Sequence, residues 1–86
     1  MAIYHIEWKK SALKDLKRLD KKAIPKIVEQ IEKLAGDPFS GDVRKLQAAE
    51  YTYRLRVGQY RVVYEIIKDK IIIIILHVRH RKDAYR

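Results

Sequence analysis

Cysteine is missing from this chain, which excludes a disulfide framework, a thiolate metal site and a thiol nucleophile. Glycine occurs only three times and proline twice, and no linker, repeat or second domain fits in 86 residues. Long apolar runs are lacking too. The longest, Ile71 to Leu76, falls far short of the roughly 20 residues that span a bilayer, and the N-terminal Met-Ala-Ile-Tyr-His has no apolar core of a signal peptide. The expectation is one cytoplasmic domain without membrane contact. Its three histidines (His5, His77 and His80) show no metal-ligand spacing with carboxylates, so neither a metal nor any other cofactor is expected.

Acidic residues are scarce: 11 Asp and Glu face 20 Lys and Arg, a formal charge of +9. The excess is uneven. Residues 1 to 42 hold nine basic and seven acidic residues (+2), while residues 43 to 86 hold eleven and four (+7). The kind of base changes as well, from eight Lys and one Arg to seven Arg and four Lys. Lysine suits a solvated helix face, as Lys9, Lys10, Lys14 and Lys17 do here. Arginine's planar fork matches phosphate oxygens two at a time, so the second half reads as a nucleic-acid surface.

With 48% hydrophobic residues the chain can bury a modest core. Residues 2 to 7 alternate and predict a first strand. Ala12, Leu13, Leu16 and Leu19 predict a short amphipathic helix, and Ile24, Ile27, Val28, Ile31, Leu34 and Ala35 a second one. Asp20 is the expected N-cap of the second helix, with Pro25 in its first turn and Gly36 ending it. Strands are expected at about 43 to 47, 51 to 57, 60 to 67 and 71 to 78. Ile71 to Leu76 lacks alternation, as a covered interior strand does.

Val57-Gly58-Gln59-Tyr60 has glycine where a type II′ hairpin turn needs positive φ, and a two-residue turn fixes the register. Arg56 then faces Arg61, Arg54 faces Val63 and Thr52 faces Glu65, all on one side. Tyr53, Leu55, Val57, Tyr60, Val62 and Tyr64 cover the other side and belong to the core. Like charges directly opposed on a sheet are destabilising, so an anionic ligand is the natural reason to gather them.

The hairpin Arg54-Leu-Arg-Val-Gly-Gln-Tyr-Arg-Val-Val-Tyr64, with the later His80-Arg-Lys-Asp-Ala-Tyr85, resembles the RelE branch of the RelE/ParE toxin superfamily over essentially the whole chain. The resemblance implies an α+β fold: an N-terminal strand, two helices, then an antiparallel sheet, with a possible extra short strand. It implies a metal-independent endoribonuclease that cuts messenger RNA in the ribosomal A site. It also implies an acidic antitoxin of the RelB type, through which alone operator DNA would be met. By the same resemblance the catalytic positions are Arg54, Arg61 (phosphate clamp), Arg81 (leaving group) and Tyr85 (nucleotide stacking). Arg56, Lys45, Arg79 and Lys82 are the expected further RNA contacts. Two positions depart from the family pattern: Thr52 stands where it has a basic residue, and Arg54 where it has lysine. Arginine does not give up its proton, so the base is open between His80, the one side chain of the motif with an ordinary pKa near neutrality, and Glu50. His77 reads as a structural strand histidine. Two other classes stay open, a ParE-like gyrase inhibitor without nuclease chemistry and an inactive antitoxin-binding homologue.

Overall fold

A computed structural model describes residues 3 to 46 and 50 to 82. Its elements are β1 (His5–Trp8), α1 (Lys10–Arg18), α2 (Ile24–Lys33), β2 (Asp42–Lys45), β3 (Thr52–Val57), β4 (Tyr60–Ile67), a 3₁₀ turn (Lys68–Lys70) and β5 (Ile72–His80). The strands form one sheet in the order β1-β5-β4-β3-β2. The three later pairings are antiparallel and β1 lies parallel to β5, so the sheet is mixed. The expected extra short strand is β2.

The helices cover one sheet face. Buried against each other are Ala12 of α1, Ile27 and Ile31 of α2, Leu34, and sheet residues including Leu55, Val62, Tyr64, Ile66, Ile73, Ile75 and Val78. Leu16 and Leu19 pack on this core as their spacing predicts, while Leu13 is exposed. Asp20 does not cap α2, whose N-cap is Ala23. Its carboxylate instead accepts the Lys22 N–H (3.0 Å) and its carbonyl the Ala23 N–H (2.9 Å), which folds the turn before the helix. Pro25 occupies the first turn, where its missing N–H costs nothing. Regular α2 stops at Lys33, earlier than expected, because Ala35 and Gly36 tighten onto the carbonyls of Glu32 and Lys33 in i→i−3 bonds.

The β3–β4 hairpin has the predicted register throughout, from Val57 opposite Tyr60 to Thr52 opposite Glu65. Gly58 has φ +59° while Gln59 is not among the positive-φ residues, the pattern of a II′ turn. Gly41 (φ +88°) is needed for a second reason, since a Cβ there would stand 3.1 Å from Leu55 Cδ1. Ile71 is the strained position. It has φ +55°, costly for a β-branched residue, and belongs to the turn rather than to β5. Ile71→Asn is therefore expected to stabilise the protein by about 1 kcal/mol, since asparagine tolerates the left-handed region and the isoleucine is 41% exposed. Urea denaturation measures this.

Beyond Trp8, β1 no longer pairs with β5, and α1 takes over that margin. Ser11 Oγ donates to the Leu76 carbonyl (2.9 Å), and Asp15 Oδ2 accepts the Val78 N–H (3.2 Å). Two side chains one helical turn apart thus satisfy main-chain groups that a neighbouring strand would otherwise hold.

Candidate active site

Pairing across four strands sets two rows of side chains on the helix-free face. One row runs Arg44, Arg54, Val63, His77; the next runs Asp42, Arg56, Arg61, Arg79. Residues directly opposed on neighbouring strands share a face, so five arginines and one histidine gather with a single carboxylate among them.

A bulge makes this gathering possible. Tyr64 pairs with Ile75 but Val63 with His77, leaving Leu76 as an extra residue in β5. Before the bulge Ile73 and Ile75 are buried under the helices; after it Val78 is. Uninterrupted alternation would send His77 and Arg79 into the core. The bulge turns them outward, beside Arg61 and Val63.

Leu46, Arg54, Arg61, Val63, His77 and Arg79 line a cleft of about 170 Å³. Arg54 is largely buried in it, with 12% of its side chain exposed and Asp42 Oδ2 4.0 Å from Nη1. That Nη1 is buried and has no hydrogen-bond partner among the described residues. A buried donor left unpaired costs about 1–3 kcal/mol, which an anionic oxygen entering the cleft would recover. The opposed pairs Arg44/Arg54, Arg56/Arg61 and Arg61/Arg79 are each also unfavourable by several tenths of a kcal/mol, roughly, in the absence of an anion. The arrangement suits a phosphate.

Of the residues singled out by sequence, Arg54, Arg56, Arg61 and Arg79 meet on this face. His80 does not. It pairs with Tyr60 on the helix-bearing side, ring against ring at 5.2 Å, because the bulge inverts the order of faces. Its Nδ1 accepts the Lys82 N–H (3.2 Å), which leaves the ring proton on Nε2 and no free lone pair for a base. His80 instead lines a groove of about 470 Å³ with Asp15, Arg18, Asp20 and Tyr60, where carboxylates balance arginines. Arg81 and Lys82 sit at the hairpin tip, with the Arg81 N–H on the Gln59 carbonyl (2.6 Å), outside the arginine cleft. Lys45 pairs with Tyr53 and so shares its face, whereas its neighbour Arg44, not anticipated from sequence, stands beside Arg54. Strand alternation from the Arg54 partner would have found it. Glu50 lies in a separate groove with Tyr51 and Glu65, and its hydrogen bond and charge push the Tyr51 hydroxyl pKa up. Tyr85 lies outside the described residues. Among the described residues no three His, Cys, Asp or Glu side chains gather as a metal would need.

His77 is the residue that sequence reasoning passed over. Its Nδ1 lies 3.6 Å from Asp15 Oδ2 and 3.4 Å from an Arg79 guanidinium nitrogen, at the rim shared by α1 and the cleft.

Comparison with known proteins places this chain among the toxins of type II toxin–antitoxin systems. The family described as "ParE toxin of type II toxin-antitoxin system, parDE" matches residues 6–85. The chain belongs to the RelE/ParE toxin superfamily and is a RelE-type member of it. It is 36% identical to the putative toxin RelE1 of Methanocaldococcus jannaschii, across 96% of both chains. Among solved structures it resembles the toxin–antitoxin complex RelBE2 of Mycobacterium tuberculosis (TM-score 0.82, 27% identity, covering 93% of this chain and 100% of that one). It also resembles the archaeal RelE–RelB complex of Pyrococcus horikoshii (TM-score 0.81, 30% identity, 92% and 96%).

Proposed function

We propose that this toxin is a ribosome-dependent endoribonuclease, acting in the cytoplasm on messenger RNA in the A site. The observation that carries the reading is the cleft in which Arg54, Arg61 and Arg79 converge, with one Arg54 donor buried and lacking a hydrogen-bond partner among the described residues. Cutting RNA by attack of its own 2′-oxygen passes through a phosphorane with more negative charge than the ground state. Preorganised cations bind that charge more strongly than they bind the substrate. Arg61 and Arg79, opposed on adjacent strands, are suited to clamp the non-bridging oxygens, with Arg54 in the neighbouring row of the same face. Arg56 and Arg44 extend the same face along the nucleic-acid backbone.

A RelB-type antitoxin is the proposed partner. The chain resembles toxins solved in complex with RelB antitoxins, and a chain of charge +9 favours an acidic cover. Operator DNA would be met only through that antitoxin.

The test is primer extension on message bound to programmed ribosomes after adding the purified toxin. Breaks confined to the A-site codon are expected, with free RNA of the same sequence cut far more slowly. A second reading, gyrase inhibition, is favoured by the name of the matching family. Pulse labelling after induction separates the two: an early fall in protein synthesis marks the nuclease, and an early fall in DNA synthesis with double-strand breaks marks the gyrase inhibitor.

A further inference from the structure

The cleft holds cations in abundance, but the reaction proposed for it also needs a group that can take a proton. Arg54, Arg61 and Arg79 cannot, and His80 stands on the opposite face with its Nδ1 engaged. Among the described residues that line the cleft, the side chain with a nitrogen lone pair able to take a proton is that of His77. It is 38% exposed and lies at the edge where α1 meets β5.

We propose that His77 is the catalytic base, and that Asp15 is the residue that positions it. The assignment rests on the cleavage reading above. Two polar contacts among the described residues meet Nδ1 of the His77 ring, from Asp15 Oδ2 at 3.6 Å and from an Arg79 guanidinium nitrogen at 3.4 Å. These two neighbours make opposite demands. The carboxylate favours a proton on Nδ1, whereas the guanidinium donates and favours a bare one. Substrate decides between them. Once a phosphate draws the Arg79 guanidinium to itself, Asp15 alone faces Nδ1; the proton settles there, and the lone pair moves to Nε2. The base is thereby formed when RNA arrives. Asp15 is held for this task by a second contact, since its Oδ2 also accepts the Val78 N–H. The charged groups facing His77 are Asp15 from α1, Arg79 on its own strand, and Arg61 and Arg54 across the cleft.

In the step itself, Nε2 takes the proton of the ribose 2′-OH as the 2′-oxygen bonds to phosphorus. The bond from phosphorus to the 5′-oxygen breaks, and that oxygen takes a proton from water. The products are a 2′,3′-cyclic phosphate and a 5′-hydroxyl, and the imidazolium returns its proton to solvent. No oxidant, reductant or metal enters the balance.

The experiment measures single-turnover cleavage of A-site message by wild type, His77→Ala, His77→Gln and Asp15→Asn, from acid to alkaline pH. General-base removal typically costs on the order of 10² in rate, and that loss is expected in both His77 variants. The acid limb that a titrating imidazole imposes on the rate should vanish with it, and free imidazole should restore part of the activity of His77→Ala. Asp15→Asn keeps an acceptor for Val78 but loses the charge that favours a proton on Nδ1, so a smaller loss is expected, confined to the cleavage rate with message affinity unchanged. A wild-type rate in His77→Ala overturns the assignment, as does a loss that leaves the acid limb in place and imidazole without effect. Failure of the wild-type protein to cut the message is a different result: it refutes the cleavage reading and this inference with it.

Discussion

Replacing Arg61 or Arg79 with alanine is expected to lower the rate of A-site cleavage by about 10² to 10³ and to abolish growth arrest, the cost of losing one preorganised cation at a developing phosphate charge. The two side chains face each other on β4 and β5 and line the same cleft. Neither variant should unfold the protein, because both side chains stand on the helix-free face, outside the buried core. Cooperative unfolding transitions in both variants are the accompanying result. Arg81→Ala should be milder, since that residue lies at the hairpin tip, outside the cleft. Lysine at 61 or 79 separates charge from geometry: partial activity is expected, because an ammonium keeps the point charge and loses the bidentate fork. Equal toxicity of Arg61→Ala and wild type would remove the cleft from the mechanism.

The second large effect concerns stability. Tyr64 is fully buried, stacks on Tyr53 with ring centroids 6.0 Å apart, and donates its hydroxyl to the Pro38 carbonyl at 2.6 Å. Truncating a buried aromatic ring costs about 3–5 kcal/mol, a large share of the roughly 5–15 kcal/mol that holds a domain together. Tyr64→Ala should therefore be largely unfolded at growth temperature. Tyr64→Phe keeps the ring and should lose about 1 kcal/mol with the hydrogen bond. It also carries a pH signature. Burial, above all, holds the folded-state pKa of Tyr64 well above its ordinary value of 10.0. Its contribution is complete below that value and declines as pH rises past it, because the unfolded chain ionises first. Urea denaturation between pH 8 and about 11 should show a steeper loss for wild type than for Tyr64→Phe.

The hairpin could be read residue by residue because its register follows from one glycine and strict alternation, and Arg54, Arg56 and Arg61 stand on the face that reading gave them. The helices were legible from their apolar spacing, with errors of a turn or less at the ends, where caps and tightening bonds decide. Alternation would also have been the guide for β5, and there it fails. Leu76-His77-Val78-Arg79-His80 carries no glycine or other mark of the extra residue, so the side of the sheet on which His80 stands, beside Tyr60, could not be read from it. Arg79 was expected as an accessory contact and lies in the cleft itself. Lys45 and Arg44 were exchanged for a simpler reason: β2 is four residues long, too short for its phase to be read without its partner strand.

The bulge at Leu76 has a genetic corollary. Substitutions there sample side chains while leaving the count of residues untouched. Loss of that single codon would remove the extra residue itself, so that Ile75, His77, Val78 and Arg79 alternate without interruption, the imidazole and guanidinium still displayed and Val78 still buried. One in-frame deletion should thus straighten β5 and leave the basic face assembled, with the Ser11 hydroxyl losing the Leu76 carbonyl it now meets.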